Sequence, residues 1–209
     1  MKYFLSTALM LIVTTMALEA HAQEWRFNVT LDGKPFGNHI FKLSTDGQQK
    51  ILVSDANFKY KILGITAYRY VHKAEEHWQG DCLQTVNANT NDNGEEKKVV
   101  GQQTDNGFVL TQLKKSSPLA GCVMSFAYWN PNILAQTQLL NPQTGDYLES
   151  HIKYIGEENL VVRGESVQAK HHVIETVKFK IDLWYDKKDE WVALQSTTPD
   201  GHKVAYFLQ

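Results

Sequence analysis

Asp-Gly and Asn-Gly pairs interrupt this chain of 209 residues at short intervals. Both residue types tolerate the positive φ that two-residue hairpin turns require. Between the pairs, apolar and polar side chains alternate with a period of two, as in residues 25–31 and 177–186. Such alternation is typical of antiparallel sheets with one packed and one solvated face, so the pattern predicts an all-β chain of hairpins. The turn pairs are Asp32-Gly33, Asp46-Gly47, Asn93-Gly94, Asn106-Gly107 and Asp200-Gly201, with Thr144-Gly145 as a related pair.

The predicted fold is an antiparallel meander curled into a barrel or half-barrel, because curling protects the edges of a long sheet. A β-sandwich is the alternative. Residues 130–137 differ from the rest, since Asn130-Pro131 is typical of a helix start, and we predict one short helical segment there. The predicted strands are residues 24–31, 36–43, 49–61, 66–78, 82–89, 95–103, 107–114, 121–128, 146–155, 159–163, 166–186 (bent or broken), 190–196 and 202–208.

The composition indicates one globular domain. The chain is 43% apolar and 21% charged, with a formal net charge of −2, which argues against disorder and against coiled coils. Binding to nucleic acid or to an anionic membrane surface would require a clustered excess of Lys and Arg. We therefore expect no nucleic-acid partner.

The first 22 residues have the layout of a secretory signal peptide. Lys2 precedes an apolar run, and Ala20-His21-Ala22 has the small-x-small pattern of a cleavage site. A retained membrane anchor is the alternative, but the apolar run is short for a span. We predict cleavage after Ala22, a single all-β domain over residues 23–209, no transmembrane segment after cleavage, and a periplasmic or secreted bacterial protein.

Cys82 and Cys122 are the only cysteines. In an oxidising compartment an even pair predicts one disulfide. A redox-active pair would need a Cys-x-x-Cys spacing or an electropositive setting, and neither is visible in the sequence. Two buried free thiols are the remaining alternative.

The residues contain no recognisable catalytic or metal-binding motif. His171 and His172 are adjacent and would point to opposite faces of a strand. Gly164-Glu165-Ser166 lacks the second glycine of a nucleophile elbow, and Glu75-Glu76 is typical of a solvated hairpin end. We expect no metal and no cofactor; the lack of a motif argues against an enzyme without excluding one.

Aromatic residues near strand ends are the candidate ligand-binding surface, because ligand cavities combine aromatic surface with a few polar anchors. Core packing is the commoner use of such residues. We expect Tyr128-Trp129-Asn130 and Trp184-Tyr185-Asp186 to share one rim, although alternation puts Trp184 on the face opposite to Leu183. The candidate residues are Tyr70, His72, Trp78, Tyr128, Trp129, Asn130, Trp184 and Tyr185.

A series of short elements along the chain supports a family resemblance. In order they are Leu31-Asp32-Gly33, Phe36-Gly37-x-His39-x-Phe41, Tyr68-x-Tyr70-x-His72, Phe126-Ala127-Tyr128-Trp129-Asn130, Leu139-Leu140-Asn141-Pro142-x-Thr144-Gly145 and Asp182-Leu183-Trp184-Tyr185-Asp186. This order resembles a family of uncharacterised secreted bacterial proteins described as a domain of unknown function. The resemblance implies an envelope location and an all-β fold, and it brings no catalytic residue. At the level of fold alone, the curved sheet is also similar to periplasmic barrels that hold lipids.

These observations favour non-covalent binding of an apolar or amphipathic small molecule, or of an envelope component, by a curved sheet. An envelope hydrolase that uses His and carboxylate side chains is one alternative. A protein that pairs with a partner through an exposed strand edge is another. A continuous apolar cavity would favour the first function, and a polar cleft with convergent His and Asp would favour the second.

Overall fold

The computed structural model describes residues 22–112 and 115–209, and most of these residues lie in antiparallel strands. The predicted all-β class is confirmed. Of the predicted signal segment, residues 1–21 lie outside the described residues. In the described part of the chain, no helix is long and apolar enough to cross a membrane. The strands are β1 (Ala22–Leu31), β2 (Lys34–Asp46), β3 (Gln49–Ile62), β4 (Ile65–Gln79), β5 (Cys82–Asp92), β6 (Glu95–Thr104), β7 (Gly107–Gln112), β8 (Lys115–Leu119), β9 (Gln138–Leu140), β10 (Tyr147–Glu149), β11 (His151–Val162), β12 (Glu165–Glu175), β13 (Lys180–Asp186), β14 (Trp191–Thr197) and β15 (Lys203–Leu208).

One 13-stranded sheet contains every strand except β9 and β10, which pair with each other. Its order is β11-β12-β13-β14-β15-β1-β2-β3-β4-β5-β6-β7-β8. Within the described part of the chain, the end strands β11 and β8 each have one partner, so the sheet is curled but not closed. The predicted curled meander is confirmed, and the sandwich is not the observed architecture.

Two of the predicted turn pairs have positive φ at both residues. Asp32 and Gly33 join β1 to β2 with φ values of 48° and 76°, and Asn93 and Gly94 join β5 to β6 with φ values of 52° and 97°. Positive φ at both central residues gives the turn the twist that matches the flanking strands. These turns keep successive strands adjacent and produce the long meander.

Residues 120–150 form a segment, here called the crossing segment, that leaves the sheet after β8 and returns to it at β11. It contains β9, β10 and a 3-10 turn at Pro131–Ala135, which confirms the predicted short helical segment. Asn130 caps this turn by accepting a hydrogen bond from the Asn132 backbone N–H.

The predicted strand over residues 121–128 is wrong. This stretch makes a single isolated bridge, between Ser125 and Leu140. Val123, Met124 and Ser125 are buried in succession, because the crossing segment is enclosed on both sides and does not alternate between core and solvent. The predicted strand over 146–155 is also interrupted, at Ser150, and the predicted break within 166–186 falls at residues 176–179.

A disulfide anchors the start of the crossing segment. Cys82, the first residue of β5, is bonded to Cys122, with 4.9 Å between their Cα atoms. Next to it, the backbone N–H of Leu83 donates to the Val123 carbonyl at 2.8 Å. The predicted pairing is confirmed, and it holds the segment against β5.

Candidate functional site

The curled sheet and the crossing segment line a partly open cavity of about 300 Å³. Side chains of β2, β3 and β4 line one side, and side chains of β13, β14 and β15 line the other. Residues of the crossing segment between Phe126 and Gln143 complete the wall. The cavity is therefore formed by parts of the chain that are far apart in sequence.

Antiparallel register arranges the cavity side chains of β2, β3 and β4 in layers. Phe58 pairs with Tyr70, and Leu52 pairs with Glu76. Between these layers, His39 and His72 both pair with Ala56. Tyr70 and Glu76 are six positions apart, so at about 3.3 Å per residue the layers extend over about 20 Å along β4. The cavity is thus elongated along the strands.

Aromatic rings form the apolar walls. The ring of Phe58 stacks on Phe36 and on Tyr70, with centroid distances of 5.0 and 5.3 Å. On the opposite side, Phe126 of the crossing segment contacts Phe179 at 5.5 Å. Stacked and tilted aromatic pairs of this kind are rigid and provide a large apolar surface.

His39 is held between two hydroxyl groups. Its Nε2 lies 2.7 Å from the Ser54 hydroxyl, and its Nδ1 lies 3.4 Å from the Tyr206 hydroxyl. Burial lowers the pKa of His39 well below its usual value, because a buried imidazole loses the hydration of its charged form. His39 is therefore neutral near pH 7.

His72 has a defined tautomer. The Thr90 hydroxyl donates to the Gln143 carbonyl at 3.1 Å, so it accepts from His72 Nδ1–H at 2.9 Å. Burial lowers the pKa of His72 to about 4. The neutral ring then carries its lone pair on Nε2, which has no hydrogen-bond partner in the described part of the chain. This atom is a free acceptor at the cavity wall.

Glu76 lies at the end of the cavity that the crossing segment covers. The Ser125 hydroxyl donates to Glu76 Oε2 at 3.0 Å, and the residue is only 3% exposed. Burial raises the pKa of Glu76 to about 7, while Ser125 and Trp78 favour the carboxylate and limit the rise. The interpretation of Glu75-Glu76 as a solvated hairpin end is wrong for Glu76, because pleating turns it inward and Glu75 outward.

Tyr70 supplies a second free polar group. Its hydroxyl is buried and has no hydrogen-bond partner among the residues that the structure describes. Burial raises the pKa of Tyr70, so the phenol keeps its proton. The ring of Tyr70 belongs to the cavity wall.

The charges around the cavity are uneven. Its described lining contains the Glu76 carboxyl but no Lys or Arg. The described residues also include no cluster of three or more His, Cys, Asp or Glu side chains arranged to hold a metal ion. His39 is oriented by the Tyr206 hydroxyl and not by the carboxylate of a catalytic triad. The arrangement can bind and orient a molecule through neutral groups and one acidic group.

The buried state of His72 predicts a pH effect on stability. Its pKa is about 4 in the folded protein and 6.5 as the ordinary value, so its stabilising contribution is complete above pH 6.5 and is lost as the pH falls towards 4. The full loss is about 3 kcal/mol in the free energy of unfolding. We expect His72→Asn, which retains a donor near Thr90, to reduce this acid-induced loss in denaturant titrations.

His151→Asn is the matched control, because His151 is exposed on β11. It should keep the pH profile of the parent protein. Equal acid sensitivity of the His72→Asn variant and the parent would contradict the buried neutral imidazole.

Glu76 affects the pH dependence of stability in the opposite direction. Because its pKa is raised, its stabilising contribution is present below pH 4.5 and is lost as the pH rises through about 7.

The structure brings three of the predicted binding residues, Tyr70, His72 and Tyr128, to the cavity wall. Tyr185 lies behind Tyr128 and donates to its carbonyl at 2.8 Å. The other predicted residues lie elsewhere: Trp78 and Trp129 contact edge to face at 5.6 Å, and Asn130 donates to Asp81.

The two aromatic motifs are joined by the hydrogen bond from Tyr185 to Tyr128, but the prediction that they share one rim is wrong. Trp184 projects from the face of β13 opposite to the cavity, as its alternation with Leu183 predicts. There it stacks on His171 at 4.6 Å and donates to Glu158. It also packs beside a small cluster formed by Val162, Ala169 and Val192.

Sequence analysis missed His39, Ser54, Glu76, Phe58 and Tyr206 as cavity residues. The sequence did contain a signal for Glu76. Alternate residues of β4 point to the same face of the sheet, and on this face they are Tyr68, Tyr70, His72, Ala74 and Glu76. The same alternation marks His39, with Phe41 and Leu43 on β2, and Tyr206, with Val204 and Leu208 on β15. Their positions depend on the register of β2 and β15 with the rest of the sheet.

The fold is similar to that of a beta-barrel-like protein of the domain of unknown function DUF1849 from Brucella abortus, for which a crystal structure is known. The TM-score is 0.67, with 8% sequence identity over 89% of this chain and 94% of that one. No curated protein has a sequence that matches this chain. The model of the domain of unknown function DUF6134 matches residues 27–209, which is most of the sequence. The chain therefore belongs to the DUF6134 family.

Proposed function

We propose that this protein binds an elongated amphipathic small molecule, non-covalently, in the cavity between the curled sheet and the crossing segment. The observation that carries this proposal is an aromatic-lined cavity of about 300 Å³ whose wall includes the polar side chains Tyr70 and His72. Known ligand cavities of proteins begin at about this volume and are mostly apolar with a few placed polar groups.

The apolar walls provide the affinity. A ligand that covers Phe58, Tyr70 and Phe126 removes its own apolar surface and theirs from water, and each Å² contributes about 25 cal/mol. Because the rings already contact one another, little side-chain freedom is lost on binding. This preorganisation favours retention of a small apolar group.

Tyr70 and His72 provide the polar anchors. A buried hydroxyl without a partner costs about 1–3 kcal/mol, so a ligand group that bonds to Tyr70 recovers this energy. His72 Nε2, two positions further along β4, accepts a hydrogen bond. A ligand with a polar group in the middle of an apolar body fits both atoms.

The proposed setting is the bacterial envelope. The Cys82–Cys122 disulfide is compatible with an oxidising compartment outside the cytoplasm. The signal-like residues 1–22 support the same setting, with Gln23 as the expected mature N-terminus. Lipids and other amphipathic molecules are abundant there, so a cavity of this kind has ligands within reach.

Native mass spectrometry of the protein purified from the envelope fraction tests the proposal. We expect the mass of residues 23–209 plus a small molecule that denaturation releases. In Tyr70→Phe the affinity for this molecule should fall about three- to tenfold, the value of one hydrogen bond. The stability of this variant should be equal or higher, because a buried unpaired hydroxyl is removed.

Tyr154→Phe is the matched control, since Tyr154 is 58% exposed on β11 and outside the cavity. It should retain the ligand like the parent protein. An empty cavity in protein from the envelope, combined with no binding of amphipathic probes, would contradict the proposal. Hydrolysis of an ester probe that depends on His39 would instead favour a hydrolase.

A further inference from the structure

Glu76 is a buried carboxyl group that the proposed binding mode has not used. It lines the cavity and is 3% exposed, and none of the described Lys, Arg or His side chains forms an ion pair with it. Removing a charge from water without a counter-charge is costly, so buried carboxylates are normally paired or protonated. Ser125 supplies a hydrogen bond but no counter-charge, so the charge of Glu76 is neutralised either by a proton or by a bound cation.

We propose that the ligand carries a protonated amine, and that its ammonium group binds Glu76 at the covered end of the cavity. This inference rests on the proposed function and specifies the class of its ligand. It assigns Glu76 as the residue that selects cationic amphiphiles.

The charge pattern of the lining supports a cation and opposes an anion. No Lys or Arg lines the described cavity, so a carboxylate or phosphate group at this depth would have no counter-charge and would face Glu76. An ammonium group bound at Glu76 meets a carboxylate, which accepts its hydrogen bonds and neutralises its charge. Neutral His39 and His72 do not repel it.

Aromatic rings in the cavity lining are also suited to a cation. Phe126 lines the cavity and directly follows Ser125, which donates to Glu76. The faces of aromatic rings attract cations, and desolvated sites strengthen this attraction.

The titration of Glu76 is compatible with this role. Burial raises its pKa to about 7, so near neutral pH the empty site exchanges its proton readily. A bound ammonium group would stabilise the carboxylate form.

Three probes with the same eight-carbon chain test the inference by calorimetry: octylamine, 1-octanol and sodium octanoate. We expect octylamine to bind about tenfold or more tightly than 1-octanol, as a charge-assisted hydrogen bond predicts. Octanoate should bind most weakly. The comparison uses the parent protein, so it holds even if a Glu76 variant fails to fold.

Glu76→Gln should lower the affinity for octylamine about tenfold, to the level of 1-octanol, and leave 1-octanol within about twofold. Glu75→Gln is the matched control, because Glu75 is the preceding residue and its side chain is 58% exposed on the outer face. It should change neither affinity.

Equal binding of octylamine and 1-octanol, or equal behaviour of the two Gln variants, would overturn the inference and leave the proposed function intact. Binding of none of the three probes would count against the proposed function itself, and the inference would fall with it.

Discussion

Replacing Trp191 with alanine is expected to lower the free energy of unfolding by about 3–5 kcal/mol. Trp191 is 1% exposed, and its ring lies 4.4 Å from Phe27, 5.0 Å from Phe41 and 5.4 Å from Tyr128. These contacts join β14, β1, β2 and the crossing segment. Deletion of the ring leaves a cavity that the surrounding strands cannot fill, because each is held in the sheet by its backbone hydrogen bonds. Urea titration measures the loss.

Trp184→Ala provides a matched comparison for this effect. Both residues are tryptophans of neighbouring strands, but Trp184 lies on the opposite face of the sheet and is partly exposed. We expect a loss of about 1 kcal/mol there, the size of a partly solvated aromatic contact. A loss at Trp184 as large as that at Trp191 would contradict the assignment of the two faces.

Removing the disulfide is the second change with a large expected effect. Cys82 and Cys122 are separated by 40 positions, and on the chain-entropy model a loop of this length stabilises the folded state by about 4 kcal/mol. The double variant Cys82→Ala/Cys122→Ala should lose about this amount in urea titrations. Since the bond holds the crossing segment against β5, the variant should also retain less ligand.

Treatment of both proteins with a reducing agent is the control for this prediction. Reductant should lower the stability of the parent protein and leave the double variant unchanged, because the variant has no disulfide to reduce. Thiol labelling of the unfolded, unreduced parent should detect no free cysteine. Two reactive thiols in that experiment would contradict the bond.

Stability and the proposed binding are expected to be coupled, because the crossing segment contributes to the core and to the cavity wall. Its carbonyl at Tyr128 accepts from Tyr185, its Gln143 carbonyl accepts from Thr90, and its Ser125 donates to Glu76. Each contact fixes one part of the cavity wall to a different strand. Variants that loosen the segment should therefore lose ligand before they unfold.

Local sequence patterns were sufficient to predict most of the strands and several of the turns. The alternation in residues 25–31 and 177–186 depends only on the pleat of one strand, and the Asp32-Gly33 and Asn93-Gly94 turns depend only on their own φ values. The 3-10 turn after Asn130 is equally local. The disulfide could be predicted as well, because two cysteines permit a single intramolecular pairing.

The predicted strand over 121–128 shows where local patterns fail. Its apolar residues resemble a strand, yet they are buried in succession beneath the sheet. Burial on all sides removes the need to alternate, and only the path of the whole chain shows that this segment is enclosed.

By itself, the sequence determined that this protein is a meander of hairpins with one bonded cysteine pair and one short helical turn, since these features follow from the conformational preferences of neighbouring residues. The tertiary structure alone decided which face is concave and which side chains meet there. His39, His72 and Glu76 lie on β2 and β4, and their grouping depends on sheet register and curvature. Trp184 is outside the cavity for the same reason. Alternation shows that the side chains of Leu183 and Trp184 point to opposite faces of β13. Only the curl of the sheet decides which of the two faces is the interior.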